Sequence, residues 1–112
     1  MKKIEAIIKP FKLDEVSESL QDIGVGGMTV TEVRGFGNQK KNSEGFAEED
    51  RLAELLPRIK IEMVVDDKFV DKVVATIQKA AHSGKSGDGK IFVSPVDEVI
   101  RIRNNDKGLS AL

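Results

Sequence analysis

RIKIEMVVDDKFVDKVVATI, residues 58–77, changes its periodicity halfway along, and that change decides the fold. From Arg58 to Val65 the pattern has a period of two. Ile59, Ile61, Met63 and Val65 make one face, and Arg58, Lys60, Glu62 and Val64 make the other. Successive strand side chains point to opposite sides, so this segment reads as a strand with one apolar face. Beyond it, Val70, Val73, Val74 and Ile77 recur at helical spacing and form one stripe. Asp66 or Asp67 supplies the side-chain acceptor that a helix N-terminus needs.

The same grammar appears at the start of the chain. Lys3–Lys9 alternates, with Ile4, Ala6 and Ile8 on one side and Glu5, Ile7 and Lys9 on the other, until Pro10 ends it. Leu13, Val16, Leu20 and Ile23 then take helical spacing, with Asp14 and Glu15 near the positive helix start and Gly24 as a stop. Gly26 and Gly27 turn the chain into a second strand, Met28–Arg34. After the helix at 70–77, the glycine-rich HSGKSGDG leads to Ile91–Val96 and then Val99–Ile102, a last strand that Pro95 bends or interrupts. Residues 104–112 read as a mobile tail.

Strand–helix–strand thus occurs twice. Right-handed crossovers turn that order into an α+β ferredoxin-like βαββαβ sandwich, one domain over residues 1–112, with both helices on one face of a four-stranded antiparallel sheet. The opposite face mixes Glu5, Lys9, Lys60 and Glu62 with apolar residues. Such a face needs water or a cover, and a second copy of the chain is one cover. The fold hosts many functions and selects none of them.

Composition narrows the classes. A chain of 112 residues with 39% hydrophobic residues is one globular domain, small enough for assembly to add stability. Eighteen Lys+Arg against 19 Asp+Glu leave no basic excess for a nucleic-acid backbone. Cysteine is absent and histidine occurs once, as His82, which excludes disulfides, thiolate catalysis and a multi-histidine metal site within one chain. The N-terminus is too charged for a signal peptide and no stretch approaches a membrane span, so the expected address is the cytoplasm.

Four features could carry chemistry. Roughly twenty residues join the second and third strands, where a hairpin needs two to five. Residues 37–57 therefore read either as a tolerated insertion or as a flexible arm that meets a partner. Gly84-Lys85-Ser86-Gly87-Asp88-Gly89-Lys90 satisfies only half of the Walker A pattern: Ile91 stands in place of Ser/Thr and a strand follows rather than a helix. It is either a plain turn or an anion cradle in which glycine N–H groups approach a phosphate and Lys90 adds charge. Arg101 and Arg103, two apart on a strand, would emerge on one face about 6–7 Å from each other. Arg34-Gly35-Phe36-Gly37 imitates the start of an RNA-binding signature, but Asn38 follows and the chain has no Tyr or Trp to stack on bases. No nucleophile–base pair is identifiable. Glu62 and Asp88 read equally well as ion-paired or capping groups.

KPFKL (9–13), TVTEVRGFG (29–37), GDGKIFV (87–93) and IRIR (100–103), in this order, resemble the PII family of signal proteins over nearly the whole chain. The resemblance implies a homotrimer that binds ATP or ADP in clefts between subunits and is not an enzyme. It implies Ile7, Gly35, Phe36, Glu62 and Val64 around the base, and Gly27, Met28 and Thr29 near base and ribose. Gly37, Asn38, Gln39, Gly87, Asp88, Gly89 and Lys90 would lie by the phosphates, joined by Arg101 and Arg103 across the cleft. Magnesium would accompany ATP and touch Gln39, and 2-oxoglutarate would meet Lys9, Gln39 and Arg58. The arm at 37–57 would engage a target, a transporter such as an ammonium channel or a nitrogen-assimilation enzyme, and membrane recruitment would follow from a transporter partner.

The sequence departs from the family's pattern mostly in the arm. Arg51 stands at the position of the uridylylated tyrosine, which rules out that modification here. Glu49 stands where some relatives carry a phosphorylated serine. Asn38 replaces a usual arginine, Lys41 a glycine, and Arg58 a lysine; Arg58 keeps the charge but not the shape. Two other readings stay open: a trimeric scaffold with altered sensing, and a small phosphatase that uses the arginines on phosphate esters.

Overall fold

The computed structural model describes residues 1–37 and 55–112. Four strands, β1 (Lys2–Ile8), β2 (Thr29–Gly35), β3 (Leu56–Val65) and β4 (Lys90–Pro95), form one sheet in the order β2-β3-β1-β4. Every neighbouring pair is antiparallel. Helices α1 (Leu13–Asp22) and α2 (Val70–Ala81) make the two crossovers. This is the ferredoxin-like α+β sandwich that the periodicity predicts.

The apolar stripes meet where the alternation places them. Ile4, Ala6 and Ile8 of β1 and Ile59, Ile61, Met63 and Val65 of β3 are buried against Val16 and Leu20 of α1 and Val73, Ile77, Ala80 and Ala81 of α2. All thirteen belong to one core, so both helices cover the same sheet face. Helix α1 ends at Gly24, whose φ of +99° only glycine adopts without strain. The Val25 N–H reaches the Leu20 carbonyl and the Gly24 N–H the Gln21 carbonyl, each at 3.0 Å, which satisfies two of the last carbonyls of the helix. Of the two candidate caps, Asp66 acts. Its carboxylate accepts from the Lys68 N–H at 3.2 Å, but on a 3-10 turn, Asp67–Phe69, that leads into α2.

The sheet face away from the helices, which no described element covers, carries a charged lattice. Lys3 lies 2.8 Å from Glu62, and Lys60 lies 3.4 Å from Glu62 and 3.6 Å from Glu5. Hydrogen bonding from Lys3 holds the Glu62 carboxyl below the usual range, and the same contact raises the Lys3 ammonium.

Three expectations change. Strand β3 starts at Leu56, two residues early, because its ladder with β2 runs on to Gly35–Leu56. The last strand stops at Pro95, and Val99–Ile102 is not its continuation: Ile100 makes a single bridge to Lys107. The Val96 N–H still reaches the Met1 carbonyl at 3.1 Å, and beyond it the described backbone pairs with its own tail. The Arg101 N–H donates to the Asp106 carbonyl at 2.8 Å, and the Gly108 N–H to the Val99 carbonyl at 2.9 Å. Asn105, at φ +60°, makes the reversal. Finally, residues 104–112 follow a defined hooked path ending in a 3-10 turn, Gly108–Ala111, in place of a free tail. Most of the expected arm, residues 38–54, lies outside the described residues.

Candidate functional site

The glycine–lysine turn sits where β4 begins, beside the end of β1, with Lys90 opposite Ile7 in the ladder. Gly84, Gly87 and Gly89 have φ of +81°, +89° and +102°. Gly89 is under a second constraint. A Cβ there would overlap the Ile7 carbonyl oxygen and lie 2.8 Å from the Ile7 carbonyl carbon. The turn presses backbone against backbone, and only glycine permits it.

Asp88 closes the turn from within. Its carboxylate accepts from the Ser83 N–H at 2.8 Å, from the Gly84 N–H at 2.9 Å and from the Ser83 hydroxyl. Lys9 Nζ lies 3.2 Å from it and donates to Ser83 Oγ at 3.1 Å. The Ser83 hydroxyl is the largest influence that holds the Asp88 carboxyl well below its usual range, followed by the Ser83 and Gly84 amides and Lys9.

Beside this turn opens a cleft of about 480 Å³. Its walls are Ile7, Gly35, Phe36, Gly37, Arg58, Ser86, Gly87, Gly89, Lys90 and Phe92. Two cations, two aromatic rings and a glycine turn suit a ligand with a flat apolar part and an anionic part. Phe36 is 72% exposed, so the cleft is open on that side. Both roots of the long inter-strand segment, Gly37 and Arg58, reach the same cleft. Arg58 Nη1 donates to the Pro57 carbonyl at 2.8 Å.

The structure divides the expected site residues into two groups. Ile7, Gly35, Phe36, Gly37, Arg58, Gly87, Gly89 and Lys90 line the cleft, with Asp88 in the turn behind them. The other group lies elsewhere. Thr29 faces Glu62 across the β2–β3 ladder, with Gly27 and Met28 just before it, and Val64 pairs with Lys3. Thr29 and Gly35 are six residues apart on β2, roughly 20 Å of strand. Arg101 and Arg103 lie past the far end of β4 from Lys90.

The two arginines do not project side by side from a strand; they sit in and beside the tail's turn. Arg101 bonds Asp106 at 3.3 Å and the carbonyls of Ser110 and Leu112 at 3.2 and 3.4 Å, while Arg103 is exposed. Lys9, expected near an oxoacid, is engaged by Asp88 and Ser83. Asn38, Gln39 and Arg51 lie outside the described residues. Phe92, Ser86 and Ser83 were not anticipated. Phe92 pairs with Glu5 across the β1–β4 ladder, on the sheet face away from the helices, and a serine and an aspartate flanking a glycine turn are a signature of side chain-to-backbone bonding. Among the described residues no group of three or more His, Cys, Asp or Glu is arranged to hold a metal. No described helix is long and apolar enough to cross a membrane.

The family model for "Nitrogen regulatory protein P-II" matches residues 1–106. Curated proteins of that name are similar over the full length of both chains. Those of Azospirillum brasilense and Pasteurella multocida are 54% identical to this chain over 112 residues, and that of Bradyrhizobium diazoefficiens is 53% identical.

Proposed function

The chain belongs to the nitrogen regulatory protein P-II family, a family of signal-transduction regulators, and from that premise we propose that it reports the adenine nucleotide held in clefts between the subunits of a homotrimer. ATP and ADP are the ligands. The phosphates lie on the Gly87–Lys90 turn, and the base lies against Ile7, Gly35 and Phe36. The neighbouring subunit supplies Gly27–Thr29, Glu62, Val64, Arg101 and Arg103.

One observation carries the proposal: the cleft that holds the glycine–lysine turn also holds both roots of the arm, Gly37 and Arg58. A ligand shifts an equilibrium only by its difference in affinity for the two states. A γ-phosphate beside those roots is a difference of that kind, and no hydrolysis is needed. The partition of the expected residues supports a shared site, since among the described residues one chain brings about half of them to its cleft. The uncovered, charged sheet face is a surface for the other subunits.

Magnesium would come with ATP and be met by Gln39. Of the two cations expected to meet 2-oxoglutarate, Arg58 is the one that lines the cleft. The arm, residues 37–57, meets the target, a transporter or a nitrogen-assimilation enzyme. This assigns no catalytic step to any residue.

Calorimetry with ATP and ADP tests the reading. Micromolar binding of both, about −8 kcal/mol, is expected. Lys90→Ala removes a charge-assisted phosphate contact worth about 1.5–3 kcal/mol and weakens both at least about tenfold. Unchanged binding in that variant, or none in the unsubstituted trimer, refutes the assignment; a trimer that binds no nucleotide would favour a scaffold.

A further inference from the structure

The geometry points to Lys9, Ser83 and Asp88 as a clasp of positioning residues: they fix the shape of the phosphate turn and screen its one carboxylate from the ligand. The inference rests on the nucleotide reading above.

Asp88 lies between Gly87 and Gly89, where a bare carboxylate would repel a polyphosphate. Its oxygens are instead turned onto the turn's own donors, the Ser83 and Gly84 amides at 2.8 and 2.9 Å and the Ser83 hydroxyl. Ser83 Oγ is a hub: it also accepts from the Lys85 N–H at 3.2 Å and from Lys9 Nζ at 3.1 Å. Lys9 Nζ, 3.2 Å from Asp88, balances the carboxylate's charge; the Lys9 side chain is 14% exposed and that of Asp88 25%. The turn these bonds close contains three glycines at positive φ, the residues that lose most freedom on ordering. A turn held in shape before the ligand arrives leaves less ordering to be done on binding. Ser83 and Lys9 therefore act on the ligand through Asp88 and the turn, without touching it.

The two halves of the clasp have different signatures. Ser83→Ala removes all three Oγ bonds and loosens the turn; because the loss reaches the ligand only as added ordering on binding, ATP and ADP weaken alike, by about three- to tenfold. Ser83→Thr keeps the hydroxyl and restores binding. Lys9→Met leaves the Asp88 charge unbalanced, so ATP, with its extra phosphate charge, loses more affinity than ADP. Removing that charge as well, in Lys9→Met/Asp88→Asn, returns the ATP:ADP affinity ratio to its starting value.

Calorimetry on the full-length trimers with magnesium-free ATP and ADP, alongside thermal melts, decides the matter. If Ser83→Ala binds like the unsubstituted chain while Lys90→Ala loses binding, the clasp is overturned and the nucleotide site stands. The clasp also falls if Ser83→Thr is as weak as Ser83→Ala. A double variant that keeps the altered ATP:ADP ratio would mean that Lys9 touches the ligand itself, which overturns its positioning role. No nucleotide binding by the unsubstituted protein overturns both readings together.

Discussion

Of Gly24, Gly26, Gly27, Gly35, Gly84, Gly89 and Gly108, Gly89 should be the costliest to replace by alanine. Two effects add there. The backbone φ of +102° disfavours any L side chain, by about 1–2 kcal/mol. The new Cβ would also overlap the Ile7 carbonyl, with the carbonyl carbon 2.8 Å away, and the atom in its path is backbone that no rotamer change can move. Relief requires the turn to lift away from β1, which breaks the end of the β1–β4 ladder at Ile7–Lys90. A lost ladder bond and its packing add about 2 kcal/mol. The sum is about 3–4 kcal/mol, a fall in melting midpoint on the order of 10–15 °C for a domain of this size. Gly24→Ala is the internal control. Its φ is +99°, nearly the same, but nothing lies within 4 Å of the new methyl, so it meets the backbone effect alone. Calorimetric melts of both variants at one protein concentration, because assembly makes the midpoint concentration-dependent, isolate the overlap as a difference of about 2 kcal/mol. Equal midpoints for the two would refute the backbone-on-backbone contact and the rigid turn built on it.

Ile61 is fully buried at the centre of β3, so Ile61→Ala should lower unfolding free energy by about 2–5 kcal/mol in urea titrations; a loss below about 1 kcal/mol would contradict the core described here. Asp88 has a depressed folded-state pKa, so its contribution to stability is complete above the ordinary carboxylate value of about 4 and drains away as pH falls below it. Asp88→Asn should therefore flatten the acid limb of the stability–pH curve below about pH 4 and leave its slope above about pH 5 alone; an unchanged acid limb would remove the Ser83–Asp88 bonding from the account. Arg58→Ala should abolish any tightening of magnesium–ATP by 2-oxoglutarate, read by calorimetry with both present, and a retained response would take Arg58 out of that role.

The parts of the fold that sequence revealed are those whose burial is decided by one face. Ile4, Ala6 and Ile8, and Ile59 through Val65, alternate because helices cover only one side of β1 and β3. The start of β3 does not show in the sequence because Leu56 and Pro57 are set by cross-strand pairing with β2, which periodicity does not record. Val99–Ile102 misled for a related reason: its β-branched alternation states a capacity to pair, and within one chain the pairing goes to the tail. The glycine–lysine turn was legible because positive φ and close approach both demand glycine. The clasp behind it is not, since Lys9 and Ser83 are 74 residues apart and nothing local pairs them; the resemblance points Lys9 to 2-oxoglutarate instead. For Glu62 the sequence leaves ion pairing and capping open, and the structure shows ion pairs with Lys3 and Lys60.

The central claim is that each nucleotide site is completed by two neighbouring chains, and subunit mixing tests it most directly. Lys90→Ala damages the turn and Arg101→Ala the opposite half, so each variant alone should bind ATP weakly. Co-assembled trimers of the two should regain one full-affinity site each, formed where an intact turn meets an intact Arg101. If mixing restores no site although mixed trimers form, the turn and the arginines do not act across a subunit boundary, and the account is contradicted.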